Sequence, residues 1–438
     1  MLQKIITLSA VCMLAVSIHA QQVISLERCK ELALQHNAKA QNSRLSLDAA
    51  EQVKKEALTK YFPSVSATAA GFRASDPMMS MDLPIGAMLG NPEMPPVTFG
   101  MLEKGAIGAV MAMQPVFAGG QIINGNKLAR LGVAVAELQQ TMSDDEITLT
   151  VEQYYWQIVA LEEKAKTITE AETLLNRIHD DVKNAMEAGL INRNDLLKVE
   201  LKQNELESGK LKLANGLQLS KIVLAQFIGL SPNGFDIDRS LVENITLSFA
   251  VHADHPSALS QRTEYRLLEK SVEAANLQVK METGKHLPTV AVGAGWNYMS
   301  FDRGSSHAMK QDFGMVFATV SIPITDWWGG SHAIRKQKLQ VQIAENDKRN
   351  AEEMLLIQMQ QLRNDVEEAA QQVQLADKAI AASLENVRLN TDYYEAGTGL
   401  LTDLLEAQSA LQQTRDQHTE AITAYCIKLA KYRQATGW

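Results

Sequence analysis

The sequence predicts a mainly α-helical protein with a membrane β-barrel part. Three observations predict it. Long proline-free stretches carry the apolar spacing of paired helices, two pairs of short stretches alternate as strands do, and the whole arrangement is written twice. Of 438 residues, 46% are hydrophobic but only 5% aromatic, and 11 are proline. That balance favours long helices over a compact mixed fold. The net charge of −9 comes without a basic patch, so nucleic acid is not an expected partner.

Residues 1–20 read as a secretory signal peptide. "MLQK" is a short positive region, "IITLSAVCMLAV" is apolar, and "SIHA" ends in a small residue where cleavage is expected. Cys12 follows Val11 and lacks the small residue that a lipoprotein cleavage site needs, so no lipid anchor is expected. Cys29 and Cys426 then remain, which is no disulfide framework. No other stretch reaches the length of a transmembrane helix. An exported chain of this kind is either soluble or embedded in a membrane by strands.

Residues 21–229 form a first repeat and residues 263–438 a second, with 230–262 as a connecting segment. Each repeat runs helix, proline, strand, loop, strand, proline, Gly-Gly, very long helix, glycine tip, return helix. "YFPSVSATAAGF" at 61–72 resembles "HLPTVAVGAGWNY" at 286–298. "QPVFAGGQ" at 114–121 resembles "IPITDWWGGS" at 322–331, with two extra residues in the second copy. "MEAGLINRNDLL" at 186–197 and "YEAGTGLLTDLL" at 394–405 repeat a glycine and an aspartate at one spacing, which places tips near 189–195 and 396–403.

The long helices carry a coiled-coil seam. Ile147, Val151, Tyr154, Ile158, Leu161, Ala165 and Ile168 step by alternating four and three, as do Leu355, Met359, Leu362, Val366, Ala369, Val373, Ala376 and Ile380. No proline falls between Gly120 and Gly189, so at 1.5 Å per residue that helix could reach roughly 100 Å. Gln, Asn, Lys and Glu on the remaining faces imply contact with water on at least one side.

The strands differ in kind. Over 289–298, Val290, Val292, Ala294, Trp296 and Tyr298 share one face, and Thr289, Ala291, Gly293, Gly295 and Asn297 share the other. Large apolar side chains out and small or polar ones in is the pattern of a membrane barrel strand about ten residues long. Residues 312–322 and 105–114 have similar length. Trp296, Tyr298, Trp327 and Trp328 fit a belt of aromatics at a membrane interface. Loops 73–104 and 299–311 join the strands of each pair. The first carries six methionines. Thioethers can bind soft metals, but such methionines are read here as adaptable packing. His252 and His255 beside Asp254 lack further ligand spacing and read as a solvated loop, so no metal site and no cofactor is expected.

Each copy of the repeat supplies two strands. An open four-stranded sheet cannot sit in lipid, because its edges leave backbone groups unsatisfied. Closure therefore needs several chains: two would bring eight strands and a filled interior, three would bring twelve and leave a lumen. The physical reading is a conduit, a barrel in an outer membrane continued by a helical tunnel. The competing reading is an exported coiled-coil scaffold or adhesin without a pore. No His-Glu-x-x-His, Gly-x-Ser-x-Gly or phosphate-cradling glycine loop points to an enzyme.

The order of elements, the proline–strand junctions, "PVFAGG" and the two "AG…DLL" tips resemble the TolC family of outer membrane efflux proteins, the outer membrane factors of tripartite efflux or type I secretion systems. The resemblance runs from about residue 25 to about residue 435. It implies a homotrimer with one 12-stranded β-barrel in outer membrane lipid and one 12-helix periplasmic α-barrel. It also implies a periplasmic adaptor and an inner-membrane transporter of the RND, ABC or MFS type as partners, with this chain a passive duct. Gly189, Leu190, Ala396 and Gly397 fall where the family's tips dock adaptor hairpins. Asp195, Tyr394, Asp403 and Glu406 match positions that close the tunnel mouth, with Tyr394 within reach of a hydrogen bond to Asp195. Gly399 stands where some members carry a gate-locking Arg. The carboxylates have a second reading, as favourable charge in the first turn of a helix.

Overall fold

The structure is a computed structural model that describes residues 22–85, 89–90, 93–101, 103–232, 234–238, 253–302, 309–324 and 326–437. The expected signal peptide, His252 and the side chain of Trp327 lie outside the described residues. In chain order the elements are β1 (Gln22–Ile24), α1 (Leu26–His36), α2 (Ala38–Thr59), β2 (Ser64–Arg73), β3 (Met79–Leu83), β4 (Val97–Met101), β5 (Lys104–Ala118), α3 (Gln121–Glu187), α4 (Arg193–Ile228), β6 (Phe235–Ile237), α5 (His255–Leu259), α6 (Thr263–Lys285), β7 (Thr289–Asp302), β8 (Met309–Ser321), α7 (Asp326–Glu395) and α8 (Leu401–Thr436). The protein is mainly helical, and the helices of 67 and 70 residues are α3 and α7.

The chain divides into two compact units. One comprises the described residues within Met1–Leu47, Ala136–Leu267 and Lys348–Trp438. Its core gathers Tyr155, Trp156 and Ile158 of α3, Leu224 and Ile228 of α4, Val366 and Val373 of α7, and Tyr425 and Tyr432 of α8. The expected coiled-coil seam supplies much of it with Ile147, Val151, Ile158, Val366, Ala369 and Val373, while Met359 is buried in a smaller cluster with Ala258, Leu259 and Ala435. β1 pairs in parallel with β6, Val23 opposite Asp236, and Tyr155 donates its hydroxyl proton to the Asp238 carbonyl. Burial pushes the Tyr155 phenol well up, so it stays a donor. Lys221 neutralises the buried Glu162 at 2.9 Å and also reaches Asp236 at 3.0 Å. Cys29 and Cys426 are free and buried, and burial pushes both thiols up to about 12. Part of the stretch read as a solvated loop is helical. His255 opens α5, and its Nε2 lies 3.2 Å from the Tyr432 hydroxyl.

The other unit comprises Asp48–Val135 and Leu268–Asp347. It holds one four-stranded antiparallel sheet in the order β2-β5-β7-β8. The strand expected to stop before Pro115 runs on to Ala118, with a bulge between Pro115 and Phe117. A bulge frees the ladder from needing the N–H that proline lacks. The stretch 73–104, expected as a loop, contains a hairpin of its own, β3 with β4, in which Met79 faces Met101 and Leu83 faces Val97. Gly119, at φ +59°, meets Gly284 so closely that a Cβ on either would stand 2.0 to 2.2 Å from the other's carbonyl oxygen. That approach, together with the left-handed backbone, is why the strand-to-helix corner uses glycine.

Candidate functional site

The two tips share one cap. At the first, the Leu190 N–H reaches back to the Ala185 carbonyl at 2.9 Å and the Gly189 N–H to the Met186 carbonyl at 2.9 Å. At the second, Thr398 reaches Tyr393 at 3.0 Å and Gly397 reaches Tyr394 at 3.0 Å. These are the two bonds of a Schellman motif, which closes a helix with a left-handed residue. Gly189 has φ +74° and Gly397 φ +71°. Nothing stands within 4 Å of a Cβ at either position, so the demand for glycine comes from the backbone alone. Leu190, 78% exposed, and Ala396 point into solvent.

Beyond the cap the tips diverge. Asn192 caps α4, its side-chain oxygen accepting from the Asn194 N–H at 2.9 Å. Leu400 caps α8 and offers no side-chain bond. That helix starts instead by burying Leu401, Leu404 and Leu405 against Leu175, Ile178, Val182 and Val199. Gly399 lies against Tyr393: a Cβ there would be 2.9 Å from the Tyr393 Cβ and 3.1 Å from the Tyr394 nitrogen. An Arg at this position would collide with the tip, which is a local reason for its absence.

The structure brings Tyr394 and Asp195 into one neighbourhood. Tyr394 packs against the tip core. Burial raises its phenol, and the charges of Asp195 and Asp181 raise it further. The Asp195 carboxylate itself is held by Lys198 at 3.0 Å. Asp181 is an addition that sequence reading missed, because helix packing alone brings α3 to α7, whereas Lys198 lies three residues after Asp195 in α4 and had a signal in that spacing. The Asn192 cap did have a signal, an Asn before "RND" at a helix start. Asp403 and Glu406 are exposed, on the face of α8 opposite Leu401, Leu404 and Leu405. Arg388 is committed within its own helix, to Glu385 at 2.7 Å and Asp392 at 2.8 Å. Among the described residues, no group of three or more His, Cys, Asp or Glu could hold a metal ion.

The sheet has two unlike faces. Val292, Ala294, Trp296 and Tyr298 of β7 are exposed, Trp296 at 57%, while Ala291, Gly293, Gly295 and Asn297 are covered or half-covered. Register continues the Trp296 face through Val110 on β5 and Ala67 on β2, and through Gly314 on β8. Phe317 lies over Gly293 on the other face, so a Cβ there would meet its ring at 2.4 Å. Trp328 is 86% exposed. No described helix is long and apolar enough to cross a membrane.

Residues 256–438 match the sequence model of the outer membrane efflux protein family. The whole chain shares the fold of solved channels at low identity. The outer membrane protein VceC of Vibrio cholerae is 16% identical with a TM-score of 0.73, over 94% of this chain and 96% of that one. The outer membrane channel MtrE of Neisseria gonorrhoeae, solved in its open state, is 16% identical with a TM-score of 0.75, over 94% and 88%. The outer membrane channel CmeC of Campylobacter jejuni is 13% identical with a TM-score of 0.73, over 94% and 85%. Comparison with curated proteins by sequence gave no match. The match to the family model thus covers the stretch that contains α6, β7, β8, α7 and α8.

Proposed function

We propose that this chain is the outer membrane exit duct of a tripartite efflux pump, a trimer that carries cargo passively between a periplasmic adaptor and the cell exterior. The observation that carries the reading is the sheet. Its four strands offer an apolar face bearing Val110, Val292, Trp296 and Val316, and β2 and β8 each have one partner only among the described residues. In lipid such edges must be satisfied, and copies of the same chain supply the complementary edge. Trp296, Tyr298, Trp327 and Trp328 serve as interface aromatics. Gly189, Leu190, Ala396 and Gly397 present the adaptor-docking tips, six to a trimer. Asp195, Tyr394, Asp403 and Glu406 form the periplasmic constriction, where rings of carboxylate gather cations. An inner-membrane transporter supplies the energy.

The test is fractionation followed by light scattering. The protein should sit in outer membrane fractions, need detergent for extraction and scatter as a trimer that heat dissociates. A protein that extracts without detergent would favour the scaffold reading, and a detergent-soluble monomer with intact strands would remove the barrel.

A further inference from the structure

The repeat determines how one copy of the chain meets the next. Pro63 of the first copy corresponds to Pro288 of the second, and Pro115 to Pro323. Ser64, just after the first proline, therefore corresponds to Thr289. Met113, two residues before Pro115, corresponds to Ser321. The hairpins obey this correspondence residue for residue: Ser64 pairs with Met113 in β2·β5, and Thr289 pairs with Ser321 in β7·β8. The duplication has thus kept strand register as well as strand order.

Between the copies lies a third pairing, β5·β7, in which Met113 faces Gly293, Ala112 faces Ala294 and Ala109 faces Asn297. It joins the second strand of one repeat to the first strand of the next. Among the described residues the second strand of the other repeat, β8, has one partner, and so does β2, the other first strand. Carrying β5·β7 through the same correspondence replaces Met113 by Ser321 and Gly293 by Thr68.

We infer that β8 of one protomer pairs antiparallel with β2 of the next, with Ser321 opposite Thr68, Val320 opposite Ala69, Ala318 opposite Gly71 and Phe317 opposite Phe72. This rests on the reading of the chain as a closed barrel of several copies and adds its register. The chemistry of the two edges agrees with it. Ala67 and Gly314 share a face with Trp296, so Ala69, Gly71, Ala318 and Val320 fall on that face too. The seam matches small and apolar residues there, and a hydroxyl pair and an aromatic pair on the other face, both favourable cross-strand partners. A slip of one residue would turn side chains to the wrong face. The competing registers are therefore slips of two.

Cysteine pairs in the full-length protein, oxidised in outer membranes, read the register directly. Close and wide pairs alternate along an antiparallel ladder, so two adjacent pairs are needed: Ser321→Cys with Thr68→Cys, and Val320→Cys with Ala69→Cys. The slipped control is Ser321→Cys with Ala70→Cys. The buried native thiols leave a low background, measured on the parent chain. At least one matched pair should give reducible covalent trimer, with the slipped pair roughly tenfold weaker, since one disulfide spans Cα atoms only within about 7 Å. A stronger slipped pair, or no crosslink in a protein that still scatters as a trimer, overturns the register while leaving the trimeric duct intact. Loss of the trimer in the parent chain itself overturns both.

Discussion

The tips at Gly189 and Gly397 share their cap down to the individual backbone bond, yet start their return helices in different ways. The first uses a polar device, Asn192 on the Asn194 N–H. The second has Leu400 in that place and relies on packing, with Leu401, Leu404 and Leu405 buried. The two tips share what the chain direction needs and differ in what stability can obtain by another route. The difference also separates the carboxylates. Asp195 is tied to Lys198 beside the first cap, whereas Asp403 and Glu406 stand in solvent beyond the second.

The largest expected effect falls on the packed tip. Leu404 is 2% exposed, so Leu404→Ala should cost about 2–5 kcal/mol of local stability. Hydrogen exchange should then show lost protection at the start of α8 first. Unchanged protection there would show that the core shared with Leu175, Ile178, Val182 and Val199 does not hold the start of α8.

Next come the shared glycines. Gly189→Val and Gly397→Val each force a left-handed β-branched residue, at about 1–2 kcal/mol. Because the caps match, the two variants should behave alike: trimer and membrane insertion intact, crosslinking to the adaptor lost. Full crosslinking yield in both would show that the tips are not the docking surface.

The smallest effects test the starts of the return helices. Asn192→Ala should destabilise the first tip by about 1 kcal/mol, and Leu400→Asn should stabilise the second by about the same or less. Thermal melts in detergent check the pair. A Leu400→Asn variant that melts lower would mean that Leu400, 66% exposed in the chain, is covered in the assembly.

Much of the fold was legible because its signals are periodic and doubled. The Ile147 and Leu355 seams are buried or half-buried along their length, and β7 alternates from Ala291 to Tyr298. Boundaries set by tertiary context were not legible. Proline suggested an end to β5 at Pro115, but a bulge carries the strand past it. The β3·β4 hairpin was hidden among methionines and prolines that resemble loop composition. At the tips, glycine and first-turn acid were readable from residues near in sequence. The approach of Asp181 and Asp195 to Tyr394 was only half readable, since it depends on how three helices pack. The collision that keeps Gly399 small has no sequence signature of its own.

The central claim is a conducting trimer whose narrowest point is lined by the exposed carboxylates past the second tip. Single-channel conductance in a planar bilayer tests it most directly, with multivalent cations added to one side at a time. The account predicts a small, cation-preferring conductance blocked from the tip side only, and predicts that Asp403→Ala with Glu406→Ala removes the block and weakens the preference without changing the trimer. A protein that inserts as a trimer and never conducts, or a double variant with unchanged selectivity and unchanged block, would contradict it.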